Sequence, residues 1–200
     1  MQKLGLTGGI ASGKSWVANQ LREFGFHVLD ADSLGHQLIE RGQSAYQPVV
    51  DEFGEAILRA DRSVDRKKLG AIVFADGAKL AKLNSILHPR IEAAMNDQFF
   101  VWQKENSRDA VFVEAALLVE AGMHKRLDGL VVVYCRPEEQ IERLRARGLS
   151  EKEARHRIAL QLPNEEKLKY ATYKIDTSGT MQHTREQVAA LAEKLRGQSA

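Results

Sequence analysis

The chain has 200 residues, 44% of them hydrophobic and 28% charged, which is enough for one sizeable core and lies in the ordinary globular range. Its 29 basic and 27 acidic side chains leave a net charge of +2. That argues against a dedicated nucleic-acid binder, which carries a clearer basic excess, and a single cysteine, Cys135, excludes an intrachain disulfide.

The opening Met1-Gln2-Lys3-Leu4-Gly5 carries no signal-peptide pattern, and no apolar run approaches the ~20 residues that cross a bilayer. A cytoplasmic protein is expected, with small-molecule partners rather than nucleic acid or membrane. A monomer is expected, and an oligomer is left open. Residues 3–6 read as a short buried strand leading into a glycine-rich turn. Val17, Leu21 and Phe24 then recur at helical spacing, Gly25 sits where a helix would stop, and residues 26–29 form a second short strand ending at Asp30-Ala31-Asp32. Such a strand–loop–helix–strand unit gives parallel strands with a right-handed crossover.

A long helical stretch is expected next, begun by Leu34, Leu38 and Ile39 and continued by Val49, Val50 and Phe53. Leu80, Leu83 and Leu87 form another apolar stripe. His88-Pro89 breaks it, with Pro89 suited to the first turn of a separate helix carrying Ile91, Met95 and Phe99. No strand pattern occurs between about residues 33 and 108, so this part reads as a helical insertion. Strands return at 110–113 and 130–135, with Cys135 a small apolar strand residue. Pro137 opens a helix with Ile141 and Leu144 inward, and Ser150-Glu151-Lys152-Glu153 is a capping box that starts another. Residues 173–175 make a last short strand, and an amphipathic helix over 184–195 closes the chain. Strands alternating with helices indicate an open α/β sheet.

Gly8-Gly9-Ile10-Ala11-Ser12-Gly13-Lys14-Ser15 matches G-x-x-x-x-G-K-[ST] at every defined position, between a strand and a helix. The glycines let the backbone curl so that several N–H groups face one phosphate, and the following helix adds its positive end. Lys14 is placed to reach the β- and γ-phosphates and Ser15 to offer a hydroxyl to Mg²⁺. ATP is favoured over GTP, because no Asn-Lys-x-Asp pattern occurs.

Asp30 and Asp32 fall at the carboxyl end of the second strand, the sheet edge where ligands collect. A carboxylate there can take the proton of an attacking hydroxyl, and Asp32 is preferred over Asp30; an N-cap role before Leu34 competes with that reading. Glu114 follows an apolar run and reads either as an acid that helps hold Mg²⁺ or as a polar strand terminus. Residues 143–157 carry six cations (Arg143, Arg145, Arg147, Lys152, Arg155 and Arg157) against Glu151 and Glu153. That local +4 reads as an active-site lid meeting phosphoryl charge, or as a solvated face. Arg143 and Arg147, four apart, share a helical face. The six histidines show no paired metal-ligand spacing, so a zinc site is not expected.

The ordered set of motifs resembles the dephospho-CoA kinase family along nearly the whole chain. The similar segments are Leu6-Thr7-Gly8-Gly9-Ile10, Asp30-Ala31-Asp32, His88-Pro89, Leu117-Leu118-Val119-Glu120, Arg143 with Arg147, Gln161 and Ala171. The resemblance implies an α/β P-loop kinase with a five-stranded parallel sheet flanked by helices. Its parts would be a nucleotide-binding core (1–33, 108–139 and 163–200), a helical CoA-substrate domain (34–107) and a helical lid (140–162). It implies transfer of the γ-phosphoryl of ATP, with Mg²⁺, to the ribose 3′-hydroxyl of dephospho-CoA. Asp32 matches the family's base, with Lys14 and Arg143 catalytic. Gly8, Gly9, Ala11, Ser12, Gly13, Lys14, Ser15, Trp16 and Arg147 would bind nucleotide. Thr7, Asp32, His88, Glu114 and Leu117 would lie by the substrate, and Ser15 on the metal. The chain departs from the family pattern at Trp16, His36, Ala116 and Thr177. Two readings compete: a P-loop kinase of another small hydroxyl substrate, such as a nucleoside monophosphate, and a regulatory P-loop NTPase.

Overall fold

A computed structural model describes residues 1–105 and 110–197. Five strands form one fully parallel sheet: β1 (Lys3–Thr7), β2 (His27–Asp30), β3 (Val111–Glu114), β4 (Gly129–Tyr134) and β5 (Tyr173–Asp176), in the order β2-β3-β1-β4-β5. β1, third in that order, is flanked by strands that follow it by more than a hundred residues: Leu6 stands level with Glu114 on one side and Val131 on the other. The short apolar runs, without polar alternation, are the signature of strands covered on both faces.

In the same part of the chain, α1 (Lys14–Glu23) joins β1 to β2, α6 (Pro137–Ala146), α7 (Glu151–Ala159) and α8 (Asn164–Leu168) lie between β4 and β5, and α9 (Met181–Gly197) follows β5. Leu4 and Leu6, with Val131 and Val133, project from alternate positions onto one face of the sheet. They pack there with Val17, Ala18 and Leu21 of α1 and Val188, Leu191 and Leu195 of α9. Phe26 meets Phe112 edge to face, with centroids 5.6 Å apart. Truncating a fully buried leucine such as Leu21 to Ala would cost about 2–5 kcal/mol. The capping box at Ser150 forms as read: its hydroxyl accepts from the Glu153 N–H while the Glu153 carboxylate accepts from the Ser150 N–H.

The chain divides into two compact units. One comprises residues 1–30 and 102–200, the other residues 31–101. The second unit holds α2 (Ala31–Leu38), α3 (Tyr46–Phe53), α4 (Arg66–Phe74) and most of α5 (Gly77–Lys104). Among the described residues its only strand-like pairing is an isolated bridge between Leu58 and Val64. The expected domain boundary at 107/108 and the final residues 198–200 lie outside the described residues.

Two local expectations are corrected. The single helical stretch begun by Leu34 is two helices: the chain turns between Leu38 and Tyr46, with Gly42 at φ 86° and the turn closed by the Ala45 N–H on the Leu38 carbonyl. Conversely, Pro89 starts no new helix. α5 runs unbroken through it for 28 residues. Proline removes one N–H from the ladder, the one that would meet the Ser85 carbonyl, and the Arg90 guanidinium adds a side-chain donor to the next carbonyl along, with Nη1 2.7 Å from Ile86 O. Ile91, Met95, Phe99 and Trp102 continue the buried stripe on its far side. No helix among the described residues is long and apolar enough to cross a membrane.

Candidate active site

The site is assembled where β1 and β3 end. Thr7 closes β1 fully buried, and its hydroxyl donates to the Ala116 carbonyl at 3.2 Å. The chain then curls through residues 8–13 before α1 starts. A Cβ on Gly8 would stand 2.2 Å from the Val133 carbonyl oxygen, so no other residue fits. Ala11 sits at φ 60°, and Gly13, the N-cap of α1, at φ 88°, a region that glycine enters at least cost. The first N–H groups of α1 have no partner within the helix, and the helix dipole adds positive potential at the same point.

Lys14, first in α1, is largely buried. Its Nζ donates to Glu114 Oε1 at 2.7 Å, a carboxylate only 5% exposed at the end of β3. Arg22, one face further along α1, reaches within 3.7 Å of the other oxygen. Register places Asp30, Glu114 and Leu6 side by side across β2, β3 and β1. Ser15 is exposed at the helix start. The Ser12 hydroxyl oxygen is buried with no hydrogen-bond partner, which is costly unless a ligand completes it. Backbone curled around a cleft that excludes a Cβ, an orphan hydroxyl, a buried ammonium and a neighbouring carboxylate together fit a phosphate chain with a hydrated Mg²⁺. Among the described residues no cluster of three His, Cys, Asp or Glu side chains could hold a metal by itself, and Mg²⁺ ordinarily takes one or two protein oxygens with phosphate and water.

Side chains from later in the chain hold the outer side of this loop. The Arg143 guanidinium, on α6, donates to the carbonyls of Ala11 (3.3 Å) and Thr177 (2.6 Å), to the Thr177 hydroxyl (3.1 Å) and to Glu139 (3.1 Å). The Thr177 hydroxyl donates in turn to the Ser12 carbonyl at 2.5 Å. Arg147 is the exposed C-cap of α6, four residues after Arg143. The Trp16 N–H donates to the Gly13 carbonyl at 3.0 Å, and its indole packs against the core. Cys135 is buried with Sγ 3.9 Å from the Ala11 carbonyl, and burial pushes its thiol pKa up.

Of the residues singled out from sequence, Thr7, the glycines, Ser12, Lys14, Ser15, Glu114 and Arg143 gather around the loop. Leu117, half exposed, lies on the loop after β3. Asp32 and His88 belong to the helical unit, Asp32 exposed in the first turn of α2 and His88 half-buried within α5. Sequence reasoning passed over four groups. Arg22 reads as an ordinary helix cation. Gln140 and Glu120 lie in polar stretches, Glu120 noted only as part of a motif. Lys167 sits among charged residues yet is fully buried, donating to the Ala116 carbonyl at 2.7 Å and Glu120 at 2.8 Å. Gln161, noticed only as a matching position, accepts the Ile10 N–H at 2.7 Å.

Comparison with known proteins agrees with this geometry. The profile of the family "Dephospho-CoA kinase" matches residues 2–183. A dephospho-CoA kinase of Aquifex aeolicus is 45% identical, with 98% of each chain aligned. Among solved structures, one from Thermus thermophilus superposes with a TM-score of 0.77 at 35% identity, over 96% of this chain and 97% of that one. A dephospho-CoA kinase from Campylobacter jejuni superposes at 0.72 and 29% identity, over 98% of both.

Proposed function

The chain belongs to the dephospho-CoA kinase family, and from that premise we propose that it transfers the γ-phosphoryl of Mg·ATP to the ribose 3′-hydroxyl of dephospho-CoA, giving CoA and ADP. The observation that carries this reading is the phosphate loop between β1 and α1 with Lys14 bonded to Glu114 at the adjoining strand end.

Lys14 has three N–H donors. One can remain on Glu114 while the others meet the β- and γ-phosphates, where charge builds in the transition state. The backbone of Gly8, Gly9, Ala11, Ser12, Gly13 and Trp16 would surround the phosphates, and the Ser12 hydroxyl would find there the partner it lacks within the protein. Mg²⁺ would be held by the Ser15 hydroxyl and, through water, by Glu114, and would offset the negative charge that builds on the phosphates. Arg143, anchored on Ala11 and Thr177, and Arg147 beyond it would flank the nucleotide. Asp32 would orient the 3′-hydroxyl and take its proton, with Thr7, His88 and Leu117 by the acceptor. These last roles rest on chain position and on the family motifs.

The test is an acceptor screen. The protein is incubated with γ-labelled ATP, Mg²⁺ and, in separate reactions, dephospho-CoA, AMP and shikimate, and the phosphorylated position is located by NMR. Transfer to the 3′-oxygen of dephospho-CoA alone is expected. Transfer to AMP or shikimate with none to dephospho-CoA would overturn the assignment of substrate, and hydrolysis without transfer would favour a switch NTPase.

A further inference from the structure

Ile10 is held on both sides of its backbone by side chains that come from the two ends of the α6–α7 pair. Gln140, 4% exposed on α6, donates Nε2 to the Ile10 carbonyl at 2.5 Å. Gln161, just past α7, accepts the Ile10 N–H with Oε1 at 2.7 Å. The polarity of the backbone fixes which amide atom faces it: a carbonyl needs a donor and an N–H needs an acceptor. The stretch between these glutamines carries Arg143 and the helices α6 and α7, and its apolar side, Leu144 and Ala154, packs on Ala11 with Ile10 beside them. Both roots of the basic helix pair therefore converge on one residue of the phosphate loop.

The same clamp continues along the loop. The carbonyls of Gly9, Ile10, Ala11, Ser12 and Gly13 are engaged in turn by the Ser12 N–H, Gln140, Arg143, Thr177 and the N–H groups of Trp16 and Val17. In a trans peptide the N–H points opposite to the C=O before it. Engaging the carbonyls of Ile10, Ser12 and Gly13 thus turns the N–H groups of Ala11, Gly13 and Lys14 the other way, into the concavity that a phosphate would take. An unclamped loop would have to adopt that shape on binding, at a cost in affinity.

We propose that Gln140 and Gln161 are positioning residues: by bracketing Ile10, Gln140 as donor and Gln161 as acceptor, they hold the phosphate loop in its anion-receiving shape and fix the α6–α7 pair, with Arg143, in register with it. This rests on the nucleotide-binding reading but not on the identity of the phosphoryl acceptor.

The roles differ in polarity, and that gives a test that packing alone would not pass. Glu has nearly the shape of Gln. It can accept the Ile10 N–H in place of Gln161, but it cannot donate to the Ile10 carbonyl in place of Gln140, and it meets that carbonyl with like charge. Mg·ATP affinity is measured by calorimetry on Gln140→Met, Gln140→Glu, Gln161→Met and Gln161→Glu, each with its thermal melt. We expect at least a tenfold rise in Kd in both Met variants. Gln161→Glu recovers at least threefold of the loss, and Gln140→Glu recovers none. Since both Glu variants bring a carboxylate to the same loop, general repulsion of ATP cancels in their comparison. Equal affinities in the two Glu variants, or parent-like affinity in both Met variants, would overturn the proposal. If Gln140→Glu fails to fold, the uncharged Gln140→Met decides alone, and parent-like affinity there refutes the donor role. Failure of the parent itself to bind Mg·ATP would instead bring down the nucleotide reading on which this rests.

Discussion

Lys167 has no solvent exposure, and its ammonium lies 2.8 Å from Glu120 Oε1. It also holds the Ala116 carbonyl, while Glu120 accepts the Leu162 N–H at 3.0 Å. One buried cation thus joins the loop after β3 to the segment after α7. Breaking a buried pair by removing one partner costs about 3–5 kcal/mol, and because Glu120 is 24% exposed, water recovers part of it. Lys167→Met is expected to destabilise by about 3 kcal/mol, lowering Tm by roughly 6–12 °C for a chain of this size. Glu120→Gln keeps an acceptor for both groups and loses less. Urea and thermal unfolding of the two variants check this, and an unshifted Lys167→Met melt would remove the structural role.

Lys14→Ala deletes the ammonium from the phosphate loop and leaves Glu114 facing the same point. A loss of at least ~100-fold in kcat is expected, about 2.7 kcal/mol of transition-state stabilisation. Steady-state turnover with saturating substrates measures it. Near-parent turnover would be incompatible with a P-loop kinase.

Asp32→Asn keeps shape and a hydrogen-bonding oxygen but cannot take a proton. It is expected to fold, to bind Mg·ATP almost as the parent does, and to lose ~10²-fold or more in kcat. Asp30, level with Glu114 in the sheet, is the control, and its Asn variant should lose less. Single-turnover transfer from labelled ATP distinguishes them: the reverse ranking would move the base to Asp30, and parent-like rates in both would leave positioning to carry the reaction.

Arg143 already has four partners: two carbonyls, a hydroxyl and Glu139. Arg143→Ala is therefore expected to weaken ATP affinity and lower kcat together, each by roughly tenfold or more, while sparing the Kd for dephospho-CoA. Calorimetry with each substrate beside steady-state kinetics reads this. A selective loss of dephospho-CoA binding would place the arginine on the acceptor instead.

Cys135 is shielded, and desolvation raises its thiol pKa. The native protein at pH 8 should react with a disulfide reagent far more slowly than the same protein in denaturant, which should titrate one thiol per chain. Because the folded pKa lies above the unfolded one, the neutral thiol's contribution to stability is fully present below the unfolded pKa of about 8.5. It is lost as pH rises through the folded value. Cys135→Ser should flatten that alkaline slope in melts above pH 8.5.

The phosphate loop could be read from sequence because its chemistry is contiguous: eight residues in a row fix glycine, lysine and serine where a curled backbone needs them. The strands and the Ser150 cap were legible for the same local reason. Pro89 was misleading because α5 runs through it as one helix with a buried stripe on both sides, Leu83 before it and Ile91, Met95 and Phe99 after it, whereas local propensity records only the lost N–H. Gln140, Gln161 and Lys167 look like ordinary solvated residues in polar segments. Their roles lie in contacts to positions 130, 151 and 51 residues away, visible only once the chain has folded.

The placing of β1 between β3 and β4 sets an order of events during synthesis. β1 and the phosphate loop leave the ribosome before either flanking strand, since Val111–Glu114 and Gly129–Tyr134 are made more than a hundred residues later. β2 pairs with β3 and so waits while the chain is made from Asp30 to Val111. Contacts of such high sequence separation form slowly. The intervening helices of residues 31–101, whose contacts are more local, are complete before the sheet can close. The nascent chain therefore carries two unpaired apolar strands, one with Leu4-Gly5-Leu6 and one with Val28-Leu29, until β3 has been made. In that interval this fold is most exposed to aggregation and most in need of a holding chaperone.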